Sequence, residues 1–154
     1  MSRVKAEDMM IRDVYKVDEH ATVKDVIELF MIHRISGLPV VGGQGEILAY
    51  ISDGDIMRFI GKHKDIIIDS ILTVGVIAGD DKNFDERVQN VLGLNVLAIA
   101  QRKIITVNAG CAAEEVAAIL GKKRIKKLPV EKDGKLVGII SRGDVIRHAF
   151  KRFL

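Results

Sequence analysis

The apolar residues of this chain change period in a fixed order. Val14 to Val17 opens with a short β-like run, and the residues after it switch to helical spacing. Val23, Val26, Ile27, Phe30 and Met31 recur three and four residues apart, which marks one face of a helix. Two more apolar runs follow in "LPVVGGQGEILAYIS", separated by glycines, and read as two strands joined by a turn. Ser52 then opens a second helical stretch. The same order returns late in the chain. A short strand at residues 104–107 precedes a helical face of Ala113, Val116, Ala117 and Leu120. "LPVEKDGKLVGIIS" gives two strands around Lys132-Asp133-Gly134-Lys135, a strong hairpin signal. Ser141 opens the closing helix. The pattern predicts strand, helix, strand, strand, helix, written twice.

The residues themselves repeat as well as the pattern. With a shift of ninety, Val17 falls on Val107, Val26 on Val116, and Leu38-Pro39-Val40 on Leu128-Pro129-Val130. After one extra residue in the first glycine-rich turn, Ser52, Gly54, Asp55 and Arg58 fall on Ser141, Gly143, Asp144 and Arg147. A length change confined to a turn is what a duplicated domain tolerates. The expected architecture is α/β (α+β), with two such units in a pseudo-twofold pair. The first repeat is placed at residues 1–60, a helical connection at 61–95 and the second repeat at 96–154. Within the connection, Asn83 and Glu86 predict a capping box, followed by an apolar face of Phe84, Val88, Val91 and Leu92.

Composition narrows the class. The chain has 154 residues, 48% hydrophobic and 29% charged, enough for a real core. Aromatics are only 5%, too few for a surface that stacks many bases. The net charge is +3, and the excess is concentrated in "GKKRIKK" and "RHAFKRFL". Cys111 stands alone, so no intrachain disulfide is possible, and a lone thiol fits a reducing compartment. The longest apolar-rich stretch, residues 65–79, is broken by Asp69 and is too short to span a bilayer. These features lead us to expect a cytoplasmic protein without a membrane segment.

Catalytic chemistry is not legible. No P-loop is present, the four histidines lack metal spacing, and "DKNFDE" has Glu86 where a calcium loop needs glycine. We therefore expect no catalytic residues, no metal and no catalytic cofactor. What remains is the doubled Ile-Ser-x-Gly-Asp at a strand-to-helix junction. By itself it is a variant capping box. The same geometry also offers a helix N-terminus to a phosphate and a carboxylate to a vicinal diol. Apolar residues nearby, such as Ile104 and Ile105, suit the faces of a flat base.

Together "RISGLPV…AYISDGD" and "RIKKLPV…GIISRGD" make the chain resemble a tandem pair of CBS domains (the cystathionine-beta-synthase domain), known as a Bateman module. The resemblance spans nearly the whole chain, although Ala49 stands where the motif usually has the glycine seen at Gly138. It implies a cleft that binds an adenine nucleotide (AMP, ADP or ATP) as a regulatory ligand, a homodimer, and an unknown regulated protein acted on in trans. Carried over, the second repeat offers Ile104, Ile105, Lys126, Lys127, Ser141, Arg142 and Asp144. The first repeat offers Val14, Tyr15, Ser36, Gly37, Ser52, Asp53 and Asp55 as a weaker set. Two alternatives stay open: a ligand-free interaction or dimerisation module, and nucleic-acid binding through the basic C-terminal helix. The low aromatic content argues against the second of these.

Overall fold

A computed structural model describes residues 3–61, 66–69, 74–77, 83–122 and 125–154. Lys123 and Arg124 of the basic run, residues 65, 70–73 and 78–79 of the long apolar-rich stretch, and the side chains of 66–69 and 74–77 lie outside the described residues. In chain order the elements are α1 (Ala6–Met9), β1 (Val17–Asp18), α2 (Val23–His33), β2 (Gly37–Val41), β3 (Ile47–Ser52) and α3 (Asp53–Ile60). Then come β4 (Ile66–Asp69), β5 (Val74–Ile77), α4 (Phe84–Leu92) and a 3-10 turn (Val96–Ala98). The second half is β6 (Val107–Asn108), α5 (Ala113–Lys122), β7 (Lys127–Lys132), β8 (Lys135–Ser141) and α6 (Arg142–Phe150), closed by a 3-10 turn (Lys151–Phe153).

Each repeat holds a three-stranded sheet. β1 runs parallel to β2, which pairs antiparallel with β3, and β6, β7 and β8 repeat the arrangement. The leading strands are shorter than their apolar runs suggest. Only Val17–Asp18 and Val107–Asn108 join a ladder, pairing at Val40 and Val130. Each proline precedes that short ladder by one residue, where no parallel neighbour needs its missing N–H. The β7–β8 turn has positive φ at Asp133 and Gly134 (52° and 77°), as its Asp-Gly sequence predicts.

The connection is not purely helical: β4 and β5 form an antiparallel pair. α4 starts at the expected N-cap, with Asn83 Oδ1 accepting from Glu86 N–H at 2.9 Å, but the reciprocal half of the expected capping box does not form among the described residues. Its buried face keeps Val91, with Val88 and Leu92 half-buried, but departs from the expected one at its start. Phe84 is 55% exposed, whereas Arg87 is buried and its Nε donates to the Ile60 carbonyl at 2.9 Å. The guanidinium satisfies the end of α3, and its aliphatic stem takes the place the pattern had given to an aromatic ring.

The cores beneath the two three-stranded sheets do not follow the sequence repeats. Ala6 and Met9 of α1 pack with Val107, Val116, Leu128, Val130 and Ile140 in the second repeat's core. Val96, Leu97, Ile99 and Ala100 pack with Val17, Val26, Leu38 and Ile51 in the first. Each repeat thus lends its leading segment to the other. Backbone hydrogen bonds fix the exchange: Ile11 pairs with Ile139, and Gln101 pairs with Tyr50, at 2.9–3.0 Å. No helix among the described residues is long and apolar enough to cross a membrane.

Candidate functional site

The exchange of leading segments decides what faces what. Residues 101–105, upstream of β6, are stitched to β3 of the first repeat. They run past the start of α3, and β7 closes the opposite wall. Between them lies a cavity of about 400 Å³. Ile104, Ile105, Ile125 and Pro129 are its apolar lining. Lys103, Lys126, Lys127, Asp53, Ser36 and Ser52 are its polar lining. Tyr50 and Gln101 complete it. Three lysines against one aspartate leave the lining electropositive.

Each residue expected from the sequence has a definite place. The cavity gathers Ile104, Ile105, Lys126 and Lys127 from the second set together with Ser36, Ser52 and Asp53 from the first. The expected grouping by repeat is therefore corrected: base-side and lysine residues of one repeat meet the Ser-x-x-Asp turn of the other. The Asp53 N–H donates to the Ser36 carbonyl at 2.8 Å, which holds the α3 start against the loop before β2. Gly37 lies beneath the Tyr50 ring, where an added Cβ would come within 2.5 Å of the phenolic oxygen. Burial, together with the negative charge of Asp53, pushes the Tyr50 hydroxyl up to about 12, so it stays protonated as a donor.

The remaining expected residues, Gly37 and Asp55 of the first set among them, lie outside this lining. Ser141 and Asp144 cap α6, and Arg142 turns away, its Nε donating to the Leu120 carbonyl at 3.1 Å. Arg142 lines a separate apolar hollow with Ala117, Leu120 and Ile146. The third cation expected beside the lysine pair is supplied instead by Lys103. Tyr15 stacks on His33, ring centroids 4.0 Å apart, and Val14 sits beside it in the chain. Tyr50, Gln101, Lys103, Ile125 and Pro129 were not singled out by sequence. Gln101 and Lys103 stand just upstream of Ile104, a proximity that the exchanged segment turns into a shared wall.

The two motif acids are both buried, with side chains 2% and 7% exposed for Asp55 and Asp144. Asp55 Oδ2 accepts from the Ser52 N–H and hydroxyl at 2.9 and 3.2 Å. Its Oδ1 accepts from Arg58 Nη2 and from Gln101 Nε2, the latter at 2.9 Å. Asp144 accepts from the Ser141 N–H and hydroxyl, both at 2.8 Å, and from Arg147 Nη2 at 2.7 Å. Burial alone would raise the Asp144 carboxyl, but the Ser141 and Arg147 hydrogen bonds and the Arg147 charge outweigh it and hold it below the usual range. Among the described residues no cluster of His, Cys, Asp or Glu could hold a metal ion. Burial and the hydrogen bond to Glu115 push the Cys111 thiol up to about 11, the state of a poor nucleophile.

Comparison with known proteins gives a consistent result. The CBS domain family model matches the chain twice, at residues 6–62 and 96–151. An uncharacterised protein of Methanocaldococcus jannaschii is 34% identical, covering 93% of this chain and 92% of its own length. The chloroplastic CBS domain-containing protein CBSX1 of Arabidopsis thaliana is 30% identical over 90% of this chain and 60% of its own. Among solved structures, CBSX2 in complex with AMP superposes with a TM-score of 0.73 at 22% identity, covering 97% of this chain and 98% of that one.

Proposed function

The chain belongs to the CBS-domain family, and on that footing we propose that it is a regulatory, non-catalytic module that takes an adenine nucleotide into the cavity between its repeats. The occupied module acts on another protein in trans. The observation that carries this reading is one cavity whose lining combines Ile104 and Ile105 with three lysines and with Ser52 and Asp53 of the α3 start. Ile104 and Ile105 suit the faces of an adenine ring. Lys103, Lys126 and Lys127 suit phosphate oxygens, and Ser52, which lines the cavity at the α3 start, suits the ribose. A volume of about 400 Å³ falls in the range of small-molecule sites. The AMP complex of CBSX2 supports the choice of ligand class.

Calorimetric titration of adenosine, AMP, ADP, ATP and S-adenosylmethionine tests it. The phosphorylated compounds should bind more tightly than adenosine, with affinity falling as salt rises. The Lys126→Ala, Lys127→Ala double variant should lose most of that margin. Each charge-assisted contact is worth about 1.5–3 kcal/mol when desolvated and less when exposed. Binding of none of these compounds at millimolar concentration would overturn the reading. An unchanged ranking in the double variant would remove the lysines from it.

A further inference from the structure

We propose that Gln101 sets the specificity of the cavity, by occupying the carboxylate that would otherwise grip a ligand diol. This rests on the nucleotide reading above and names the residue that tunes it. A carboxylate offers about four lone-pair positions. At Asp55 all four are taken: by the Ser52 N–H, the Ser52 hydroxyl, Arg58 and Gln101. At Asp144 only three donors converge, from Ser141 and Arg147. The difference between the repeats is one hydrogen bond, and Gln101 makes it.

The duplication supplies an internal control. With the ninety-residue shift, Gln101 corresponds to Ile11. Both residues make the same backbone bridge to the other repeat, Gln101 to Tyr50 and Ile11 to Ile139. Only the side chains differ. Isoleucine has nothing to donate and is 48% exposed, whereas Gln101 Nε2 reaches Asp55 Oδ1 at 2.9 Å. The backbone bridge therefore does not need the amide. Of the four donors to Asp55, Ser52 and Gln101 line the cavity. Ser52 is also the N-cap of α3, so Gln101 is the group an entering ligand can displace at least cost to the fold. Asp55 itself lies behind this lining, so a ribose reaching it must first turn the amide away. The exchange of one hydrogen bond for another leaves the 2′-hydroxyl of little net value.

The expected consequence is a cavity that tolerates deoxyribose. Wild-type protein should bind AMP and 2′-deoxy-AMP within about threefold of each other. In Gln101→Ala the freed lone pair accepts the diol, so the preference for AMP over 2′-deoxy-AMP should rise about tenfold relative to wild type. Gln101→Met, which keeps the length and loses the donor, should behave in the same way and covers the case in which the alanine variant folds poorly. Titration calorimetry of both nucleotides into the three proteins reads this directly. A wild type that prefers AMP tenfold or more, with the preference unchanged in both variants, would overturn the proposal while leaving the nucleotide reading intact. So would variants that lose both nucleotides equally, because Gln101 would then be a ligand contact. Binding of neither nucleotide to any of the three proteins would overturn the nucleotide reading and this inference with it.

Discussion

At the scale of single residues, each motif acid is first a structural group. Asp55 and Asp144 occupy the third position of a helix whose N-cap serine they bond in return, and each pairs with an arginine one turn on. Asp144 gives this a pH signature. Its carboxyl is held below the ordinary value of about 3.9, so its contribution to stability is present above that pH and is lost as pH falls through the folded value. Asp144→Asn should cost about 1 kcal/mol near neutrality, the usual worth of a cap. That gap to wild type should begin to narrow as pH falls below about 4 and close once pH passes the lowered folded value, where the folded wild-type carboxyl is protonated too. Urea unfolding of both proteins between pH 3 and pH 7 checks it. A gap that stays constant across the range would show that the charge of Asp144 is not what stabilises α6.

At the scale of elements, the two repeats solve the same packing problem with different pairs. β8 carries Gly138 opposite Val130, where β3 carries Ala49 opposite Val40. A Cβ on Gly138 would fall 2.3 Å from Met10 Sδ and 2.9 Å from Met10 Cβ. The residue corresponding to Met10 in the other leading segment is Ala100, packed against the core that contains Ala49. One repeat therefore pairs glycine with methionine and the other alanine with alanine. The motif glycine that is missing from the first repeat is compensated by a smaller partner. Gly138→Ala alone should destabilise by about 1–3 kcal/mol through overpacking. Met10→Ala added to it should recover part of that loss, giving a negative coupling in a double-mutant cycle. Thermal or urea unfolding of the four proteins measures the coupling. Additive effects would mean that the two side chains do not share the space.

At the scale of the whole molecule, the exchanged segments make the repeats depend on one another. Ala6 and Met9, at 0% and 4% exposure, belong to the core that contains β7 and β8. Removing residues 1–10 should therefore weaken the far repeat rather than the one it precedes. In hydrogen exchange, amides of β7 and β8 should lose protection well before those of β2 and β3. Equal loss in both sheets, or loss centred on β2 and β3, would contradict the exchange. The same interlocking places the cavity at the seam, where movement of the 101–105 segment is felt by both repeats.

The sequence by itself determined much of this protein. Helical and strand periods, the Asp-Gly turn, the serine caps and the ninety-residue repeat are local properties, set by a few neighbouring residues and therefore visible without a fold. They identified the two three-stranded sheets but not the β4–β5 pair, and the resemblance to the CBS family supplied residues that line the cavity: Ile104, Ile105, Lys126, Lys127, Ser36, Ser52 and Asp53. The tertiary structure decided how those residues combine. A repeat in sequence does not reveal that its leading segment crosses to the other copy, because that choice depends on which core has room for Ala6, Met9 or Val96. The crossing brought Gln101 to Asp55 and Lys103 to the polar wall, while Arg142 was drawn outward to the Leu120 carbonyl. Burial of Arg87 in place of Phe84 has the same origin. An unsatisfied carbonyl at the end of α3 is a demand made by a distant element, and no local pattern in the sequence records it.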